Sequence, residues 1–176
     1  MPVPRILTLP NLLSIARFPL AAGFLLAQTP TTRLTLLGMA SASDLLDGWL
    51  ARRMGRTSPY GALIDPIADK TFMLAAFTAF FLHDEVSAIQ WGILLSRDLA
   101  VALGALVAAL TPGLTPASFM VRTSGKAVTV LQLAAILVLT VSPESAGLVV
   151  MIVGVASCLA IADYTLALAR QRRQRD

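Results

Sequence analysis

Residues 33–82 read RLTLLGMASASDLLDGWLARRMGRTSPYGALIDPIADKTFMLAAFTAFFL. Two long apolar runs, about Arg33 to Met54 and about Tyr60 to Leu82, flank a polar break from Gly55 to Pro59. Each run is long enough for a membrane-crossing helix, which needs roughly 20 residues. Yet the first carries Asp44 and Asp47, and the second carries Asp65, Asp69 and Lys70. An acidic side chain at the centre of such a helix costs about 2.5–3.5 kcal/mol even on a lenient insertion scale. Four near one depth cost on the order of 10 kcal/mol before mutual repulsion, so the pattern demands a cationic partner.

The spacing indicates which kind. Asp44 and Asp47 are three apart and Asp65 and Asp69 four apart, so each pair shares a helix face. With a cytoplasmic turn between Arg52 and Pro59, the two helices are predicted to be antiparallel neighbours. Their four carboxylates would then face one another near the cytoplasmic end. Such oxygens suit hard divalent cations, Mg²⁺ or Mn²⁺. Gly48, Ala51, Gly61, Ala62 and Ala68 keep the same stretches slim, for close helix approach or a ligand. Two alternatives use the same residues: structural ion pairs with Arg17, Lys70 and Arg97, or a cation or proton transporter using the intramembrane aspartates. No second acidic cluster or internal repeat supports a transporter.

Composition extends this reading to the whole chain. Its 176 residues are 56% hydrophobic and 14% charged, with a mean hydropathy of +0.75, whereas soluble domains average about 25% charged. Disorder, a coiled coil and an ordinary soluble enzyme are excluded, and an all-α polytopic membrane protein remains. Six spans would take roughly 120 residues, leaving room for one bundle over 1–176 and no separate soluble domain. Besides the two runs above, spans are predicted at about Asn11–Ala27, Val86–Leu110, Ser124–Val141 and Gly147–Ala169. Thr8 is a candidate N-cap with Pro10 in the first turn, and Pro19 is a candidate kink. Thr29 to Thr32, Thr111 to Thr115 and Ser142-Pro143-Glu144 read as turns or breaks, and His83-Asp84-Glu85 as a wet loop with a solvated histidine. Cys158, in VGVASCLAIA, reads as a small buried hydrophobe; a lone cysteine allows no intrachain disulfide. The opening MPVPRILTLPN has neither the apolar core nor the cleavage site of an export signal, and does not resemble a transit peptide.

The net charge is +4 and the pI about 10.0. Ten of the 14 basic residues fall on one side of the predicted bundle: Arg5; Arg52, Arg53 and Arg56; Arg122 and Lys126; Arg170, Arg172, Arg173 and Arg175. The other side holds Arg33 with Asp84, Glu85 and Glu144. Both termini are therefore expected in the cytoplasm, in an inner-membrane, multi-pass arrangement. The basic tail reads as an anchor on anionic lipid and not as a nucleic-acid patch. Lys70 reads as a snorkelling interfacial residue; Asp163 and Tyr164 receive no role.

The pattern Asp44-x2-Asp47-Gly48-x2-Ala51-Arg52-x8-Gly61-x3-Asp65-x3-Asp69 resembles the signature of the CDP-alcohol phosphotransferase family, with all eight fixed positions met over 26 residues. The segment Leu9-Pro10-Asn11-Leu12-Leu13-Ser14-Ile15-Ala16-Arg17 is similar to the opening of its phosphatidylglycerophosphate synthase and eukaryotic-type cardiolipin synthase branches. So are Ser96-Arg97-Asp98 and Gly125-Lys126 followed by Gln132.

The resemblance implies a six-helix membrane enzyme, commonly a homodimer, that moves phosphatidyl from CDP-diacylglycerol to a polar alcohol and releases CMP. Two divalent ions would reverse the sign of the acidic site and clamp the attacking and leaving oxygens. It assigns Asp44, Asp47, Asp65 and Asp69 as metal ligands and Asp69 also as general base. Gly48, Ala51, Arg52 and Gly61 would hold the CDP moiety. Arg97, Arg122 and Lys126 are the acceptor-binding candidates, with Arg17 and Asn11 near the same mouth. Their charge favours sn-glycerol 3-phosphate as acceptor. Asp98 after Arg97 resembles the cardiolipin synthase branch, which uses phosphatidylglycerol, and keeps that alternative open.

Overall fold

The computed structural model describes residues 9–54, 61–110 and 123–173. Among these residues every regular element is helical: α1 (Leu9–Leu26), α2 (Pro30–Met54), α3 (Gly61–Leu82), α4 (Ala88–Leu110), α5 (Thr123–Val141), a 3₁₀ turn (Pro143–Ser145) and α6 (Ala146–Arg173). The candidate cap Thr8 lies outside the described residues. Pro19 lies within α1 and Pro66 within α3.

Local chemistry places the boundaries. Helix α2 begins at Pro30, three residues before the apolar run, because Thr29 caps it: the Thr32 amide donates to Thr29 Oγ1 at 3.2 Å, and proline at the first helical position loses no needed donor. Ser87 and Gln90 form a capping box ahead of α4, with the Ser87 amide donating to Gln90 Oε1 at 2.8 Å and the Gln90 amide to Ser87 Oγ at 3.3 Å. Removing such a cap costs about 1 kcal/mol. Ser87→Ala is therefore expected to lower the thermal unfolding midpoint in detergent by a few degrees, and an unchanged midpoint would contradict the capping role. His83 closes α3 instead of floating in a wet loop. Its amide donates to the Ala79 carbonyl at 3.1 Å, and its Nδ1 lies 2.7 Å from the same oxygen. Asp84 then takes a left-handed backbone with φ 59°, a common way to stop a helix.

The chain forms two compact units, Met1–His83 and Asp84–Asp176. In the first, α1 packs against both α2 and α3. The expected pairing of α2 with α3 therefore changes in kind, since the chief partner of each is α1. Phe24 of α1 meets Phe72 and Phe80 of α3 edge-on, with ring centroids 5.6 and 6.0 Å apart. Arg33 lies buried with its guanidinium 4.9 Å from the Phe80 centroid and Nε donating to the Ala27 carbonyl at 3.1 Å. In the second unit α6 packs against α4 and α5, around Val128, Ala160 and Tyr164.

Polarity is distributed contrary to the soluble pattern. Ser14, Arg17, Ser43, Asp47, Arg97, Gln132, Thr140 and Ser157 are buried, while Leu26 and Ile89 are each 77% exposed and Leu45, Leu103, Val130 and Leu159 are exposed too. Contiguous exposed apolar surface calls for a cover of lipid or protein. Cys158 follows this rule and corrects the sequence expectation: it is exposed, among outward-facing Val155 and Leu159 on α6. Its apolar neighbourhood predicted burial, but that face of α6 turns away from the unit's core. Lys70 is likewise corrected: its Nζ is shielded from solvent, so it does not snorkel to an outer interface. Among the described residues one helical stretch, Pro143–Leu166 (24 residues), is long and apolar enough to cross a membrane; Leu12–Leu26 and Ala127–Val141 are shorter apolar helices.

Candidate functional site

The first unit gathers the acidic residues around α1. Ser14 and Arg17, three apart on one face of α1, both point at the carboxylates. The Ser14 hydroxyl lies 3.3 Å from Asp47 Oδ2 and also contacts Asp65 Oδ1. A hydroxyl has one hydrogen, so an acid of α2 and an acid of α3 share it. Arg17 Nη2 pairs with Asp44 Oδ1 at 3.0 Å and with Asp47 Oδ2. Ser43, one residue before Asp44, donates to the Leu13 carbonyl at 2.9 Å and ties α2 to α1 at this level.

Burial differs sharply among the four acids. The Asp44 side chain is 60% exposed and that of Asp47 only 9%, while Asp65 and Asp69 are half-buried on successive turns of α3. Three acids thus meet at one polar knot, and Asp69 stands one turn further along. The sequence offered Arg17 both as a lining of the site's mouth and as an ion-pair partner of the acids; here its guanidinium pairs with two of them, Asp44 and Asp47. Sequence reasoning overlooked Ser14, whose signal was a hydroxyl in an apolar run three residues before a buried arginine. Gly48, Ala51 and Arg52 lie in the last turns of α2, and Gly61 opens α3. The side chains of Asn11, Ala51, Arg52 and Lys126 lie outside the described residues, as does Arg122 entirely.

The donor set can be tested against a divalent ion. Its donors are all carboxylate oxygens, which suit Mg²⁺ or Mn²⁺, and Asp44, Asp47 and Asp65 are linked through Ser14 and Arg17. Among the described residues, however, no three acidic, imidazole or thiol groups stand together closely enough to hold one ion. Between Asp44 and Asp47 it is the Arg17 guanidinium that supplies the positive charge. Carboxylate oxygens suit a divalent ion by chemistry, and at Asp44 and Asp47 such an ion would have to share them with Arg17.

The second unit carries a separate polar cluster. Arg97 on α4 is buried, with Nη1 donating to Asp98 Oδ1 at 2.8 Å and Nη2 to the Tyr164 hydroxyl at 3.2 Å. Gln132 of α5 donates to Asp98 Oδ2 at 2.7 Å and to the Leu94 carbonyl at 2.9 Å. The segments around Arg97 and Gln132, far apart in sequence, therefore belong to one network. Tyr164, given no role from sequence, is part of it; its separation of 67 residues from Arg97 left no local signal.

The sequence profile of CDP-alcohol phosphatidyltransferases matches residues 3–161. The chain belongs to that family, a membrane-associated one. A CDP-diacylglycerol–glycerol-3-phosphate 3-phosphatidyltransferase of Aquifex aeolicus is 32% identical over 106 residues, covering 57% of this chain and 59% of that protein. A cardiolipin synthase (CMP-forming) of Streptomyces coelicolor is 34% identical over 113 residues, 58% of this chain and 53% of the relative. A probable phosphatidylglycerophosphate synthase of Mycobacterium tuberculosis is 31% identical over 141 residues, 75% of this chain and 65% of the relative. The chain spans only part of the curated relatives it matches, between 31% and 65% of their length in these comparisons.

Proposed function

We propose that this chain is an integral membrane enzyme that transfers phosphatidyl from CDP-diacylglycerol to sn-glycerol 3-phosphate, giving phosphatidylglycerophosphate and CMP. The observation that carries this reading is the meeting of Asp44, Asp47 and Asp65 around Ser14 and Arg17, in a family whose relatives include enzymes named for that reaction. The acceptor hydroxyl attacks the phosphorus that bears the diacylglycerol; the new O–P bond forms as the bridging P–O bond to CMP breaks. Asp69 takes the hydroxyl proton.

A diphosphate entering a bare acidic site would be repelled. Two divalent ions, Mg²⁺ or Mn²⁺, held by Asp44, Asp47, Asp65 and Asp69, would neutralise the diphosphate and the charge developing on the leaving group. The chain's own contribution is placement, with Gly48, Ala51, Arg52 and Gly61 against the CDP moiety and Arg97, Arg122 and Lys126 for the acceptor phosphate.

The outward apolar residues and inward polar ones support a single membrane domain of six spans. The excess of arginine at predicted cytoplasmic segments supports cytoplasmic termini in the inner membrane. We take the working form to be a homodimer.

Purified protein in detergent, given labelled CDP-diacylglycerol, is expected to release CMP with glycerol 3-phosphate when Mg²⁺ or Mn²⁺ is present. A chelator should stop the reaction and added metal should restore it. Phosphatidylglycerol and inositol phosphate run in parallel. CMP formed only with phosphatidylglycerol would make the chain a cardiolipin synthase, as some relatives are named. Ion flux across vesicles with no CMP from any acceptor would support a transporter instead.

A further inference from the structure

Two residues outside the signature, Gly125 and Tyr164, converge on the guanidinium of Arg97. That guanidinium is held on two edges, by Asp98 at 2.8 Å and by the Tyr164 hydroxyl at 3.2 Å, with its carbon 5.9 Å from the Tyr164 ring centroid. A Cβ on Gly125 would overlap both the Tyr164 hydroxyl and Arg97 Nη2. Glycine weakens a helix relative to alanine, yet it occupies the first turn of α5 at the one place where a methyl group would displace both polar heads. Arg97 Nε is buried and has no hydrogen-bond partner among the described residues.

The two holders differ in kind. Asp98 offsets the guanidinium charge, whereas Tyr164 is neutral and fixes direction without quenching it. A planar guanidinium held in this way has lost its rotamer freedom before a ligand arrives, and its low-dielectric setting strengthens a bond to a phosphate oxygen. We propose that Gly125 and Tyr164 are positioning residues that aim Arg97 at the phosphate of the acceptor alcohol; this rests on the reading of Arg97 given under the proposed function.

The experiment measures initial rates of CMP release by the full chain in detergent for wild type, Tyr164→Phe, Gly125→Ala and the double variant. Loss of one hydrogen bond predicts a rise in the glycerol 3-phosphate KM of about fivefold for Tyr164→Phe. A larger rise, about tenfold or more, is expected for Gly125→Ala, which moves the guanidinium itself. The KM for CDP-diacylglycerol, kcat and the unfolding midpoint should stay near wild type. The double variant should be no worse than Gly125→Ala alone, because phenylalanine has no hydroxyl for the new methyl to meet.

Unchanged acceptor KM values overturn the proposal. So do equal rises in both KM values with a lowered unfolding midpoint, which would mark simple packing. If Gly125→Ala does not fold, Tyr164→Phe decides. A wild type that uses phosphatidylglycerol is compared on that acceptor's KM. A wild type that releases no CMP with any acceptor sinks the functional reading and this inference with it, whereas an active wild type with unaffected variants sinks the inference alone.

Discussion

Asp69→Asn is expected to cut CMP release by about 10²–10⁴-fold, the range over which a positioned general base acts. Asparagine keeps the shape of aspartate but cannot accept the hydroxyl proton, and its amide is a poorer ligand for a hard cation. The position is half-buried on α3, one turn beyond Asp65, so the exchange should leave the unfolding midpoint within a few degrees of wild type. The loss should appear in kcat, with the acceptor KM little changed, as for an interaction made only in the transition state. Glu144→Gln, at an exposed position in the 3₁₀ turn, is the control and should retain activity. An Asp69→Asn protein turning over at close to the wild-type rate would remove Asp69 from the chemistry.

The second large effect concerns stability. Arg17 is buried and is the cation that Asp44 and Asp47 share. Removing one partner of a buried ion pair leaves a stranded charge and costs about 3–5 kcal/mol. Asp44 is largely exposed, so most of that cost falls on Asp47. Arg17→Leu in chelator should therefore unfold on the order of 10 °C below wild type, using the usual conversion for a domain of this size. Arg17→Lys should recover only part, because the shorter lysine carries a compact ammonium that must reach both carboxylates now bridged by Arg17 Nη2.

With the acids as the proposed metal ligands, divalent ions would supply the missing charge, and Mn²⁺ should then raise the midpoint of Arg17→Leu more than that of wild type. Mn²⁺ binding followed by electron paramagnetic resonance gives a readout independent of turnover. A midpoint insensitive to Arg17→Leu would show that the pair does not support the fold. A midpoint insensitive to Mn²⁺ in both proteins would count against the proposed metal site.

Much of the helical layout was legible in the chain because its signals are local. Apolar runs bounded by Thr29-Pro30, His83-Asp84-Glu85 and Ser142-Pro143-Glu144 mark helices whose limits agree with the structure to within a few residues. Where they differ, as at the start of α2, the cause is a cap: Thr29 lets the helix begin at Pro30, ahead of the first apolar residue. The spacing of Asp44, Asp47, Asp65 and Asp69 likewise marked a candidate site, and the structure links three of these acids through Ser14 and Arg17.

What spacing could not convey is who stands between them. Periodicity places a residue on a helix face but does not say which helix that face meets. Helix α1 became the partner of both α2 and α3, and Ser14 and Arg17 became the groups that join their acids. Cys158 and Lys70 were misplaced for the same reason: an apolar neighbourhood does not distinguish the inward face from the outward one, nor a shielded ammonium from a snorkelling one. Thus one-dimensional pattern alone determined the helical class, the acidic signature and the family, all properties of residues close in sequence. Tertiary packing alone decided which of the candidate cations meets the acids and how Arg97 is enclosed by Tyr164 and the bare Cα of Gly125, because those contacts join residues 27 to 67 positions apart and depend on distances of a few ångströms.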